Sequence, residues 1–384
     1  MRIGFDARFV DDRYHGVGRF AHQTLEALTR LYPADRFVVL HNPHRPSARL
    51  DLASLLGRPN VEAREVPHDL YAPLEQPLLA LALARARLDV HFVPYFPAPL
   101  LAPVRIVVTV HDLILDHEPR YQSGRWVRYY YRPMMLLAPR RSARVVAVSE
   151  ATARDLHALY RVPAEKISVV PEAADPRFRP ITDAATLAAT RERYRLPEAY
   201  VLAVGVRRPH KNLARLVEAF ALARAEIPHS LVLAGEAHAR YPDDVPATVA
   251  RLGLADRVRE LGHVPDADLP ALYTLADLYA IPSLDEGFGL PALEAMACGT
   301  PVVAANASSL PEVVGEAGLL ADPHDPADLA RAIVRAVADR ELNARLRRLG
   351  LARAAEFDWS ATGRRLRAVL GAAVGEAGTL EAPE

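Results

Sequence analysis

The sequence predicts an α/β protein made of two Rossmann-like, doubly wound domains. Three observations point there. Short β-branched and apolar runs alternate with longer stretches of helical spacing along the whole chain. Several short runs are apolar throughout, among them RIVVTV at 105–110 and SLVLAG at 230–235. Such runs suit strands covered on both faces, as in parallel sheets wrapped by helices. Finally, 384 residues are long for a single core.

In the first half, strands are expected at 3–6, 37–41, 61–66, 90–94, 106–110, 145–148 and 168–170. In the second half they are expected at 200–204, 230–234, 258–261, 278–281, 301–304 and 318–320. Helical patterns lie between them, for instance at 17–31, 213–225 and 325–349. The Pro-rich, poorly periodic stretch 171–180 marks the boundary, with the second unit starting near 191–197. The domains are therefore set at 1–175 and 191–356, followed by a helix within 357–374. The tail 375–384 reads as disordered. Two such units leave a cleft between the facing carboxyl edges of their sheets, where open α/β folds take ligands.

Composition narrows the class. Hydrophobic residues make up 51% and charged residues 24%, as in a globular protein. The formal net charge is zero, so no global field argues for nucleic acid. The single cysteine, Cys298, excludes an internal disulfide and reads as a small buried residue. No signal-peptide core opens the chain, and no apolar run reaches the ~18 residues of a spanning helix. The expectation is a cytoplasmic protein, with a peripheral place on the inner face of the plasma membrane as the alternative.

The most informative segment is SLDEGFGLPALEAMACGTPVV, starting at Ser283. Glu286 ends a strand beside a Gly-Phe-Gly loop. Glu294 follows after seven intervening residues, inside the next helix. The amides of Gly287, Phe288, Gly289 and Leu290 and the helix N-terminus favour an anion. A carboxylate one or two turns into the helix can accept hydrogen bonds from a diol. Together the features suit a polyhydroxylated, phosphorylated ligand. The segment resembles the paired-glutamate signature of retaining glycosyltransferases of family 4, which use nucleotide-sugar donors. The resemblance extends over nearly the whole chain, with the motifs in the family's order. It implies the GT-B arrangement of two Rossmann-like domains, with acceptor on the first and donor on the second. It also implies a last helix that crosses back to the first domain.

Three further segments carry the resemblance. Gly16-Val17-Gly18 follows the first strand and precedes a helix. Glycines let a backbone approach a phosphate closely, although Gly-x-Gly alone is also a plain tight turn. With IGFDARFV before it, the segment resembles the family's first-domain loop, which faces donor phosphates and acceptor. His111, in Thr109-Val110-His111-Asp112, ends an apolar strand at the edge where sites form. As a lone histidine it could be a general base. The resemblance instead implies a histidine that positions the transferred sugar, with its backbone helping to hold hydroxyls. The third segment is GVRRPHKN, from Gly205 to Asn212. There Arg207 and Lys211 could clamp a leaving diphosphate. Lys211 is the firmer assignment, and Arg207 against Arg208 stays open. His210 and Val206 stand where arginine is frequent in the family.

Glu172, in PEAAD at 171–175, replaces the Asn-Gly pair many relatives carry in this hinge. Ser308 and Ser309 either order a loop near the nucleotide or cap the next helix. Asp11-Asp12 and Asp243-Asp244 read as solvated turns, and no metal site is apparent. The segment 120–144 interleaves seven arginines with aromatic residues and two methionines and holds no acid. It suits either contact with a membrane or lipid-linked acceptor, or ordinary helix packing with solvated charge.

The resulting expectation is a metal-independent, retaining hexosyltransferase, with mannose favoured. Its donor would be GDP-mannose or a UDP-sugar, and no cofactor is required. Its acceptor would be a glycan, a lipid-linked glycan or a small molecule. By resemblance, retention proceeds by front-face attack, the leaving phosphate taking the acceptor's proton. Two rivals are a sugar-nucleotide epimerase on the same fold and a non-catalytic glycan-binding subunit. The first would lack the Glu-pair run. The second would tolerate loss of Glu286, Glu294 or Lys211, and all three are present.

Overall fold

In a computed structural model, residues 1–68, 70–72, 74–121 and 125–376 are described. The chain divides into two compact units. The first holds Met1–Leu115, Tyr121–Glu172 and the chain from Asp358 on. The second holds Asp116–Arg120 and Ala173–Phe357.

The first unit contains β1 Arg2–Asp6, β2 Arg36–His41, β3 Val61–Glu65, β4 Val90–Val93, β5 Arg105–Val110, β6 Arg144–Ala147 and β7 Ile167–Val169. The second contains β8 Tyr200–Val204, β9 Ser230–Ala234, β10 Val258–Gly262, β11 Leu278–Ile281, β12 Val302–Ala305 and β13 Gly318–Ala321. Each sheet is parallel. The orders are β3-β2-β1-β4-β5-β6-β7 and β10-β9-β8-β11-β12-β13. Both reverse direction after their first strand, so a switch point lies at β1/β4 and another at β8/β11. Every strand read from the sequence is present, with ends shifted by a residue at most. The apolar runs are buried as a two-sided sheet demands: Ile106, Val107 and Val108 are fully buried, as are Val201, Leu202, Leu231 and Val232.

Two helical expectations change. The pattern at 325–349 is two helices, Pro326–Ala338 and Arg340–Ala355. Asp339 breaks it: its backbone is extended, and its carboxylate accepts from Leu342 N–H to cap the second helix. Gly16-Val17-Gly18 is not a loop but the first turn of the helix His15–Leu31. Helix N-termini lack intrahelical partners for their first N–H groups, and no side chain caps this one. Gly18 is needed there for space, because a Cβ would stand 3.0 Å from the Phe9 carbonyl. Asp11 is also no solvated turn: it is buried and paired with Arg13 at 2.6 Å. Asp12 accepts from Ser47 Oγ at 2.6 Å.

The helix Trp359–Val374 packs in the first unit against His15–Leu31. Gly363 allows the approach, since a Cβ there would lie 2.8 Å from Ala27 Cβ. Arg367 and the chain's ammonium group both grip Asp35, each at 2.5 Å. The start of the expected tail is ordered by Arg367, which reaches Glu376 at 2.9 Å. The remainder, 377–384, lies outside the described residues.

Candidate active site

In the second unit the site is built from three strand ends. After β8 the chain makes a short turn, Pro209–Lys211, closed by Asn212 in the left-handed region at φ 56. Asparagine tolerates that conformation. Its amide donates to the carbonyls of Pro282 (3.1 Å) and Pro323 (2.8 Å), which anchors the turn. Lys211 is thereby held 2.6 Å from Glu286 Oε1. The same oxygen accepts from Ser283 Oγ at 2.6 Å. The backbone carbonyl of Glu286 accepts from Ser308 Oγ and Ser309 Oγ, both at 2.8 Å. These serines therefore order the loop, and Ser309 does not cap the helix Leu310–Val314. The Lys211 side chain is 18% exposed and paired with Glu286.

Gly287, Phe288 and Gly289 lead into the helix Leu290–Ala297. Gly289 has φ 101, and a Cβ would lie 2.8 Å from Leu310. Phe288 is buried against Phe357, so only its backbone can serve a ligand. Glu294, on this helix, is 5% exposed and lies 3.4 Å from Tyr273 Oη. The two glutamates border one buried phenol, Tyr279, whose pKa burial pushes well up, with both carboxylates adding to the rise. Cys298 is buried, and burial lifts its thiol to about 12, which leaves it inert.

Neighbouring charges are settled among themselves. Arg207 is engaged by two carboxylates. It pairs with Glu260 and, at 3.2 Å, with Asp243, so Asp243 is no free turn residue either. Arg208 is exposed. His210 is buried, and burial with Lys211 and Arg208 pushes its pKa down to about 3, so it stays neutral. Asp285 accepts from His117 (2.7 Å) and Ser308 (2.6 Å). Burial would raise its pKa, but these bonds hold it below the ordinary value.

In the first unit, His111 is buried after β5. Its Nε2 lies 2.9 Å from the Pro94 carbonyl and its Nδ1 lies 2.9 Å from Glu172 Oε1. A carbonyl only accepts, so Nε2 carries a proton; a carboxylate also accepts, so Nδ1 carries one too. When protonated, the ring can donate to both acceptors at once. Burial alone would lower its pKa, yet the bond and charge of Glu172 raise it above the ordinary 6.5. The helix turn with Gly16–Gly18 lies in the same unit, where Phe20 meets the His111 ring edge-on at 4.9 Å.

The sequence reading missed Ser283, Tyr273 and Tyr279, and it saw Glu172 only as a departure from a hinge motif. An acid at the end of a Pro-Glu hinge was a signal. Its partner 61 residues away was not visible.

Family profiles match both halves. "Glycosyltransferase Family 4" matches residues 14–178, and "Glycosyl transferases group 1" matches residues 189–352. The O-antigen chain mannosyltransferase B of Escherichia coli is 31% identical over 94% of this chain and 96% of its own length. The chain belongs to glycosyltransferase family 4. A D-inositol 3-phosphate glycosyltransferase of Salinispora tropica is 39% identical, over 61% of this family-4 chain and 52% of that protein. The structure of Anabaena Alr3699/HepE in complex with UDP and glucose superposes with a TM-score of 0.73 at 25% identity. It covers 97% of this glycosyltransferase and 99% of HepE.

The Glu172 carboxylate sets the charge on His111. A raised folded pKa contributes stability that is fully present below 6.5 and is lost as pH rises through the folded value. NMR titration of the ring should show the His111 pKa falling in Glu172→Gln. The stability gap between wild type and variant should narrow as pH rises through the wild-type value. An unchanged His111 pKa would refute the pairing.

Proposed function

We propose that this family-4 glycosyltransferase moves a hexose, mannose first among candidates, from a nucleotide diphosphate sugar to a glycan or lipid-linked acceptor with retention. The observation that carries the reading is the Lys211–Glu286–Ser283 cluster beside the Gly289 helix start, with Glu294 in the same unit. In this reading Glu294 accepts from the ribose hydroxyls of the donor nucleotide. Glu286 and the amides of 287–290 hold the sugar and phosphate. Lys211 turns from Glu286 to the diphosphate as charge develops there.

The acceptor oxygen bonds to the anomeric carbon on the face the phosphate leaves. That phosphate oxygen takes the acceptor's proton. Both His111 ring nitrogens are already engaged, by Pro94 and Glu172, which supports a positioning role for this histidine rather than that of a base. Mannose is favoured by the relative that matches along almost the whole chain. The nucleotide is GDP or UDP. Lys211 and backbone amides supply the positive charge, so no metal or cofactor enters the proposal.

We also assign the face of 125–141 to peripheral contact with an anionic, cytoplasmic membrane surface. A π-helical turn, Val127–Tyr131, runs into the helix Arg132–Arg141. Pro133, which lacks an N–H, sits where the two meet. Val127, Tyr131, Met134, Met135 and Ala138 face inward, whereas Arg125, Trp126, Arg128, Tyr129, Arg132, Leu136, Leu137 and Arg140 face out. That outer face mixes cations, aromatic rings and aliphatics without an acid. Among the described residues no helix is long and apolar enough to cross a membrane.

Donor turnover, followed as nucleotide diphosphate release over a panel of GDP- and UDP-sugars, tests the chemistry. Lys211→Ala should lower it on the order of 10²-fold, and excess EDTA should leave the wild-type rate unchanged. Near wild-type turnover in the folded variant would remove Lys211 from the mechanism. Loss in EDTA restored by Mg²⁺ or Mn²⁺ would mean a metal does its work. For the membrane face, flotation should bring the protein up with phosphatidylglycerol vesicles but not with phosphatidylcholine vesicles. Arg128→Glu with Arg132→Glu should abolish that, and equal flotation of the double variant would refute the assignment.

A further inference from the structure

One short segment sits apart from its own sequence neighbours. The chain up to Leu115 and again from Tyr121 belongs to the first unit, yet Asp116–Arg120 belong to the second. The segment takes in the end of the short helix Ile114–His117 and the start of the turn Pro119–Tyr121. Its acid Glu118 is satisfied locally. Arg120 donates to it from Nε and Nη2, at 2.9 and 2.8 Å, and from its backbone N–H at 3.1 Å. His117 instead reaches Asp285, with Nδ1 2.7 Å from Oδ2. A carboxylate only accepts, so Nδ1 carries the hydrogen whether the ring is neutral or charged.

Asp285 is the residue before Glu286. It is 9% exposed, and its other oxygen takes the Ser308 hydroxyl at 2.6 Å. Ser308 Oγ also lies 2.8 Å from the Glu286 carbonyl. A serine has one hydroxyl hydrogen, so it serves these two acceptors only in turn. His117 therefore supplies the steady donor for a buried carboxylate. Without it one oxygen would be left buried and unsatisfied, which costs more than the bond itself contributes. The carboxylate would turn toward water, and Glu286 is the next residue along the chain. The loop's other ties come from different elements. Leu284 N–H bonds the His210 carbonyl at 2.8 Å, and Lys211 holds Glu286 at 2.6 Å, both from the turn after β8. Neither gives Asp285 Oδ2 a donor.

We infer that His117 is a positioning residue for the loop from Glu286 to Leu290, acting through the carboxylate of Asp285. The inference rests on the transferase reading above and adds a residue from the first half of the chain to the support of its donor side. His117 lies in the stretch matched by one family profile and Asp285 in the stretch matched by the other, so the pair forms only in the folded full chain.

The His117 side chain is 37% exposed, so its replacement should leave the fold intact. In the full chain, His117→Ala should lower nucleotide diphosphate release at saturating donor by about tenfold or more. It should leave affinity for bare GDP and UDP within about twofold. His117→Asn should recover turnover to within about threefold of wild type, because its amide nitrogen takes the place of Nδ1. His117→Gln, whose amide nitrogen matches Nε2, should stay as slow as the alanine variant. Wild-type turnover in His117→Ala, no recovery in His117→Asn, or a loss of bare nucleotide binding equal to the loss of turnover would overturn the inference. Amide hydrogen exchange keeps the two readings apart, since exchange at residues 287–290 should quicken in His117→Ala. If the wild type releases nucleotide while neither turnover nor exchange responds to His117→Ala, the His117 assignment falls and the transferase reading stands. If the wild type turns over no donor, the transferase reading falls. Exchange at these amides then still decides whether His117 holds the loop, and unchanged exchange would overturn that too.

Discussion

The carboxylate of Glu286 is the point on which the second unit's site depends. One oxygen takes both Lys211 and Ser283, and the residue's carbonyl takes Ser308 and Ser309. Those partners come from the ends of β8, β11 and β12, so one residue ties three strand ends together. A partly buried charge pair of this kind is costly to desolvate and repays little in stability. Its value is positional. It keeps the Lys211 ammonium in place against Glu286. In the proposed reading, a donor diphosphate would compete with the Glu286 carboxylate for Lys211.

The first unit repeats the logic with different chemistry. His111 is fixed by two acceptors, Pro94 and Glu172, which together demand both ring protons. Glu172 raises the pKa of the ring above its ordinary value against the effect of burial. Glu172 is the last residue before the chain enters the second unit, so the ion pair also fastens the end of that segment. In the same unit, Arg8 is buried between the carboxylates of Asp6 and Glu75. Asp6 and Arg8 of the FDAR segment are therefore buried scaffolding for the turn that leads to Gly16–Gly18.

The fold was legible because strand burial is written locally: a run such as RIVVTV cannot be amphipathic, and two sets of such runs with helices between them admit few arrangements. The glutamate pair was legible for the same reason, since strand, glycine turn and helix are contiguous. What the sequence hid was long-range pairing. Nothing near Arg207 announces Glu260 and Asp243, and nothing near Glu294 announces Tyr273. The split at Asp339 was readable in principle, since an aspartate three residues before Leu342 is a capping signal. The unbroken apolar period around it masked the break.

The central claim is a division of labour, with Glu294 serving the nucleoside and Glu286 the sugar and phosphate. Calorimetry with bare GDP and UDP, beside single-turnover kinetics with the matching donor, tests it most directly. Glu294→Gln should weaken binding of the bare nucleotide by about 1–3 kcal/mol. Glu286→Gln should leave that binding nearly intact and depress turnover far more, because it acts where charge develops. Equal weakening of bare nucleotide binding by the two variants would contradict the account.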